Sequence, residues 1–227
     1  MTLASGNMKT KKQKFLAHRS RDKVSSILQV PPQADSLLVL GHGAGAGMNH
    51  RNMENIVGAL HANQIATFRY QFPFMERGGG RDSKEVSLST VASAVEKAAA
   101  LEPELPIYAG GHSFGGRMTS MAAAESLLSE IQGLIFFAFP LHPPGKPSVE
   151  RAAHLSEIRV PMLFLSGTRD KLFSAELFAS VLKKLGSSAT VHDLDTADHG
   201  YKTLKRTRQS EEDIFVEMAR VTRQWIG

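Results

Sequence analysis

The stretch AGGHSFGGRM, Ala109 to Met118, sets four glycines around a single serine. It follows the apolar run LPIYAGG and precedes the helical pattern GRMTSMAAAESLLS, so the chain passes from strand to helix within a few residues. Gly111-His112-Ser113-Phe114-Gly115 reads G-x-S-x-G, and a turn this sharp forces the central serine into strained dihedrals with its Oγ projecting above the sheet. Glycines two residues either side, Gly111 and Gly115, leave room for the turn. The new helix aims its free N–H groups and positive end at the same point. Gly116 then allows close packing of helix on sheet.

Two other glycine-loop chemistries compete with this nucleophile elbow. Gly111 to Met118 nearly fits the phosphate-binding pattern G-x-x-x-x-G-K-[ST], but Arg117 stands where the lysine belongs, and Met118 has no hydroxyl for a magnesium ion. In GHGAGAG, residues Gly41, Gly43 and Ala46 satisfy G-x-G-x-x-A. A dinucleotide site wants an acid at the end of the next strand, and IATFRY supplies Arg69 and Tyr70. Both nucleotide readings fail at the residues that would carry them.

Working outward, apolar runs alternate with amphipathic segments along nearly the whole chain. SLLVLGHG, IATFRYQF, LPIYAGG, GLIFFAFPL, VPMLFLSG and ATVHDLD read as strands. NMENIVGALHAN, SLSTVASAVEKAAALE, GRMTSMAAAESLLS, SAELFASVLKKLG and EEDIFVEMARVTRQWI read as helices. Such alternation predicts an α/β protein, a three-layer α/β/α sandwich on a mostly parallel sheet of about seven or eight strands. KFLAHRS and KVSSILQV predict an initial antiparallel pair ended by Pro31 and Pro32. The patch ERGGGRDS is expected to be a mobile loop at the carboxyl edge of the sheet, where ligands bind in such folds.

Residues 1–227 are expected to form one domain, with residues 1–12 a flexible basic arm. The chain has no cysteine, which excludes disulfides, thiolate metal sites and a cysteine nucleophile. The N-terminus lacks the apolar run of a signal peptide, and LIFFAFPL is too short to span a bilayer, so a cytoplasmic protein without a membrane partner is expected. Much of the +5 net charge sits on Lys9, Lys11, Lys12, Lys14, Arg19, Arg21 and Lys23. Lysines on an edge strand discourage pairing between molecules. Without interleaved aromatics or a nucleic-acid motif, no nucleic-acid partner is expected.

A serine hydroxyl needs a base, and the base needs an acid to fix its tautomer. After Ser113, the strand MLFLSG ends in Thr168-Arg169-Asp170, and the last strand is followed by Asp198-His199-Gly200, so Asp170 and His199 converge on one edge. Of nine histidines, His18 and His61 fall in surface elements, His192 lies within a strand, and His142 and His154 flank a proline-rich segment that could border the pocket. Asp198 would point away from its neighbour His199, and Asp193 and Asp195 belong to the strand. The backbone N–H of Phe114 is the expected first oxyanion donor. Ala44, with Gly43 or Gly45 as alternatives, is the expected second, from the loop GHGAGAGMNH. His42 is expected to organise that loop. With no H-E-x-x-H and no ligand-spaced cluster, neither metal nor cofactor is expected. Arg69, Arg77 and Arg81 are candidates to meet an anionic substrate, with solvated surface arginines as the alternative.

These residues resemble the α/β-hydrolase superfamily. GHGAGAGMNH, FPFME, GGHSFGGRM, FPLHPPGKP and MLFLSGTRD are similar to a small lidless branch related to dienelactone hydrolases, which includes a testis-expressed protein and a histone acetyltransferase complex subunit. The resemblance implies the α/β-hydrolase fold without a full lid, a Ser113, Asp170, His199 triad, and hydrolysis of an ester or similar acyl bond. Dienelactone hydrolases use a cysteine where this chain has Ser113. Between Phe139 and Ile158 the chain is too short for a helical lid, which favours small, soluble esters. A thioesterase or peptidase would share the triad, and a non-catalytic interaction module is the other class.

Overall fold

The computed structural model describes residues 7–17 and 22–227. Eight strands form one sheet in the order β1-β2-β4-β3-β5-β6-β7-β8. They are β1 (Lys9–Leu16), β2 (Lys23–Val30), β3 (Ser36–Gly41), β4 (Ile65–Tyr70), β5 (Ile107–His112), β6 (Ile131–Phe137), β7 (Met162–Gly167) and β8 (Ala189–Leu194). Strand β1 pairs antiparallel with β2, and β2 with β4; every other pairing is parallel. Lys9 to Lys12, expected in a flexible arm, form the first half of β1. Residues 1–6, and with them His18, Arg19 and Arg21, lie outside the described residues.

Strands β3 and β7 are buried on both faces and accordingly read as nearly unbroken apolar runs, whereas β4, equally buried, carries Thr67 and Arg69 among its apolar residues. One face carries α3 (Lys84–Leu101), α4 (Phe114–Ala124) and α5 (Ala175–Leu185), whose Leu88, Val91, Met118 and Phe178 pack with Phe68, Phe136 and Phe164 of the strands. The other carries α1 (Arg51–Ala62) and α6 (Ile214–Ile226), where Ile56, Leu60 and Met218 meet Leu38, Leu40 and Leu163. Two short elements escape the periodicity, α2 (Pro73–Arg77) and a 3₁₀ segment, Glu150–Glu157. Both are too brief to show a repeat. No helix among the described residues is long and apolar enough to cross a membrane.

The chain runs from β3 outward to β4, then returns to the far side of β3 as β5. Connections therefore diverge between β3 and β5, the place where open α/β sheets leave a crevice. Both glycine loops start there, since Gly41 and Gly111 are cross-strand partners. The loop Glu76–Ser83 is anchored at both ends: Arg77 pairs with Asp82 at 2.6 Å, Asp82 accepts the Phe74 N–H at 2.7 Å, and Ser83 caps α3.

Candidate active site

Ser113 joins β5 to α4 with φ 51° and ψ −111°, a conformation that costs a non-glycine residue about 1–3 kcal/mol. What holds it is the end of β3. A Cβ on Gly115 would lie 2.2 Å from the Gly41 carbonyl carbon, and one on Gly111 would lie 2.3 Å from the Gly41 oxygen. The elbow is thus pressed onto its neighbour strand, and the Ser113 N–H is fixed by the Phe137 carbonyl at 2.9 Å.

The structure brings Ser113, Asp170 and His199 together from three strand ends. His199 Nε2 stands 2.8 Å from Ser113 Oγ, and His199 Nδ1 stands 2.7 Å from Asp170 Oδ2. A carboxylate only accepts, so Nδ1–H donates to Asp170 and Nε2 is left to take the serine proton. Asp170 is fully buried, with its second oxygen accepting the Leu172 N–H at 2.8 Å, whereas His199 keeps 27% of its side chain open to solvent. The acid and base loops are tied to each other: Thr168 Oγ1 accepts the Thr196 N–H at 2.9 Å, and the Arg169 N–H meets the Ala197 carbonyl at 2.9 Å. Asp198 turns away, accepting the N–H groups of Gly200 and Lys202.

Beside these groups lies a small pocket of ≈ 220 Å³, lined by Gly43, Ala44 and Gly45 together with His50, Ser113 and His199. All three loop candidates for a second oxyanion donor therefore border it. Phe114 opens α4, so its N–H has no intrahelical acceptor. Its ring packs edge-on against Phe72 and Phe74, with the Arg81 guanidinium 5.7 Å above it. Arg77 is instead neutralised by Asp82, and Arg69 is buried away from the pocket.

His42 braces the loop. Its Nε2 accepts the Phe72 N–H at 3.0 Å, which puts the proton on Nδ1, 2.8 Å from the Gly43 carbonyl. Burial lowers its pKa to about 4, so the ring is neutral. Of the other histidines, His61 is half-buried on Thr67 rather than on the surface, His192 meets Glu217, and His154 bonds Ser120. His142 is buried beside the Pro143 carbonyl. Asp195 lies just past the end of β8 and accepts the Gln209 N–H.

Two histidines at the site carried no signal in the sequence. His112, the first of the two variable residues of the G-x-S-x-G motif, lies 5.5 Å from the His199 ring and donates from Nε2 to the His199 carbonyl at 3.2 Å. Burial, then the neighbouring His199, holds its pKa down at about 4. It supports both the base and Gly43, on which a Cβ would come within 3.0 Å of His112 Nδ1. His50, which lines the pocket, is the N-cap of α1, and Asn52 in the same turn donates to the Gly200 carbonyl at 2.9 Å.

With a strained serine, a buried acid and a histidine between them at the carboxyl edge of an eight-stranded sheet, the chain belongs to the alpha/beta hydrolase domain family, whose model matches residues 34–227. The fold is similar to that of dienelactone hydrolase from Anabaena variabilis, with a TM-score of 0.72 at 16% identity over 96% of this chain and 97% of that one. It is equally similar to a lidless α/β serine hydrolase from Xanthomonas campestris, with a TM-score of 0.72 at 18% identity over 96% and 95%. The esterase domain of a Rhodothermus marinus protein gives a TM-score of 0.69 at 17% identity over 97% and 98%.

Proposed function

We propose that the protein is a serine hydrolase that cleaves small carboxylic esters through an acyl-enzyme. The observation that carries this reading is the unbroken relay from Asp170 to His199 to Ser113, at 2.7 and 2.8 Å. Ser113 Oγ attacks the ester carbonyl carbon while its proton passes to His199 Nε2. The imidazolium so formed is stabilised by Asp170. The tetrahedral oxyanion is held by the N–H groups of Phe114 and Ala44, each worth about 3 kcal/mol in the transition state. His199 returns the proton to the departing alcohol, then activates water, which releases the acid and restores Ser113.

The chemistry needs only side chains and backbone groups. The small pocket and the partly open His199 favour short acyl groups in a soluble substrate. The reading extends to residues 1–227 acting as one domain in the cytoplasm, where a chain without cysteine needs no oxidant, and to the lidless branch marked by GHGAGAGMNH and GGHSFGGRM. Its test is labelling with a fluorophosphonate, followed by hydrolysis of p-nitrophenyl esters of increasing chain length. Wild type should be labelled and should prefer acetate or butyrate. Equal labelling of Ser113→Ala removes Ser113 from the mechanism.

A further inference from the structure

Away from the candidate active site, the antiparallel end of the sheet carries a second concavity. On the face where α1 packs, the registers place Lys12, Ile27 and Arg69 side by side across β1, β2 and β4, with Lys14 opposite Ser25 in the next row. Helix α1 covers β4 and leaves β1 and β2 open, which creates a groove of ≈ 800 Å³ bordered by Lys12, Lys14, Gln29, Asn49, Glu54 and Arg69.

Arg69 is the unusual group in it. Only 8% of its side chain is exposed, and an arginine stays charged at any physiological pH. A buried cation is costly unless it is paired. Yet its guanidinium has two neutral acceptors, the Met48 carbonyl at 3.2 Å and Gln29 Oε1 at 3.4 Å. Its Nε–H is sealed from solvent with no acceptor. The nearest carboxylate, Glu54, stands 3.9 Å away and is itself 56% exposed. Residues 1–6 and 18–21 contain no Asp or Glu, so no carboxylate from them could complete the pair.

Elsewhere the same chain satisfies a buried arginine fully. Arg208, 6% exposed, meets the Glu217 carboxylate and the carbonyls of Asp195, Ser210 and Glu212. Arg69 has no such set. Around it, Lys14 is engaged by Glu76 at 2.8 Å, but Lys12 makes no ion pair among the described residues. With Lys14 paired to Glu76, Lys12 and Arg69 face the groove against the single carboxylate of Glu54, which leaves it a net positive charge for an oxyanion to meet.

We propose that this groove binds a small molecule bearing a phosphate monoester, whose oxygens accept from the terminal N–H groups of Arg69 and from the Lys12 ammonium. A phosphate supplies acceptors for the terminal Arg69 N–H groups, whose present partners stand at 3.2 and 3.4 Å, and for the unpaired Lys12 ammonium. The remaining length of the groove, bordered by Asn49 and Gln29, takes the polar body of the ligand.

Calorimetric titration of the full chain with glycerol 3-phosphate, at constant ionic strength held with chloride, tests the site. Saturable one-to-one binding is expected, weakened by about ten-fold in Lys12→Glu and abolished in Arg69→Gln. Because Arg69 also holds the Met48 carbonyl, Arg69→Gln could perturb folding; the exposed Lys12 keeps the test decisive. Ser113→Ala should bind like wild type, which separates this groove from the candidate active site. No saturable binding by wild type, or equal affinity in Lys12→Glu, overturns the proposal. So does a single-stranded oligonucleotide binding far more tightly than glycerol 3-phosphate with the same sensitivity to Lys12→Glu, which would make the basic strand a nucleic-acid surface.

Discussion

The site at Ser113 and the groove at Arg69 each hold a buried charged side chain, Asp170 in one and Arg69 in the other, but the two are finished differently. At Ser113 the three residues of the relay have their partners: Asp170 uses both oxygens, His199 uses both ring nitrogens, and His112 holds the His199 backbone. At Arg69 a buried charge meets two neutral acceptors and a distant carboxylate. A closed network fixes geometry before a substrate arrives, which is what catalysis by preorganised groups requires. A cation left short of acceptors instead gains most when a ligand supplies them. Under the two proposals, the contrast is between a site that acts and one that binds.

The largest effect should come from opening the closed network. Ser113→Ala, His199→Ala or Asp170→Asn should each cut kcat for p-nitrophenyl acetate by about 10⁴- to 10⁶-fold with unchanged circular dichroism. The double variant Ser113→Ala/His199→Ala should be no worse than Ser113→Ala alone. Additive losses would mean that the two residues do not act as a unit.

Next is the contact that makes the elbow. Gly115→Ala sets a methyl group against the Gly41 carbonyl and should cost about 3 kcal/mol or more in urea unfolding. Gly45→Ala, with nothing within 4 Å of the added methyl, should stay within about 0.5 kcal/mol of wild type. Similar losses for both would show that the loop next to Ser113 is as tightly packed as the elbow.

His112 acts through another residue, so its removal should be milder. His112→Phe fills the space without the donor to the His199 carbonyl and should lower kcat by about 10²-fold while KM hardly moves. A rise in KM alone would make His112 a substrate contact.

The last effect is on stability against pH. His42, His61, His112 and His154 each have a pKa lowered from 6.5 to about 4, chiefly by burial. Between those values the unfolded chain binds protons that the folded one refuses, so stability is complete above pH 6.5 and falls as pH drops toward 4. Urea midpoints at pH 7, 5.5 and 4.5 should decline in that order, and His42→Gln should flatten the slope.

Much of the fold was legible because its signals are local. Unbroken apolar runs such as SLLVLG and MLFLSG mark strands buried on both faces, and each stretch read as a strand overlaps one. The glycines at 111 and 115 were legible as a turn requirement, although what makes them necessary, the carbonyl of Gly41, is 70 or more residues away. His112 was not legible, since its motif position accepts any residue and its role comes from a loop folded in from the far end of the chain. In the sequence Arg69 reads either as a group for an anionic substrate or as a solvated surface arginine, and its burial is not legible there. Alternation along β4 cannot show that β2 and the Met48 loop close over it.

By itself, then, the sequence determined the succession of strands and helices, the sharp turn at Ser113 and the set of side chains able to serve it, because periodicity and glycine spacing act over a few residues. Tertiary structure alone decided that Ser113, His199 and Asp170 meet within hydrogen-bond distance, that His112 stands behind them, and that Arg69 is enclosed with its nearest carboxylate, Glu54, 3.9 Å away. Those outcomes depend on strand order and loop packing across the whole sheet, where the energy of a contact is set by groups that the local sequence does not contain.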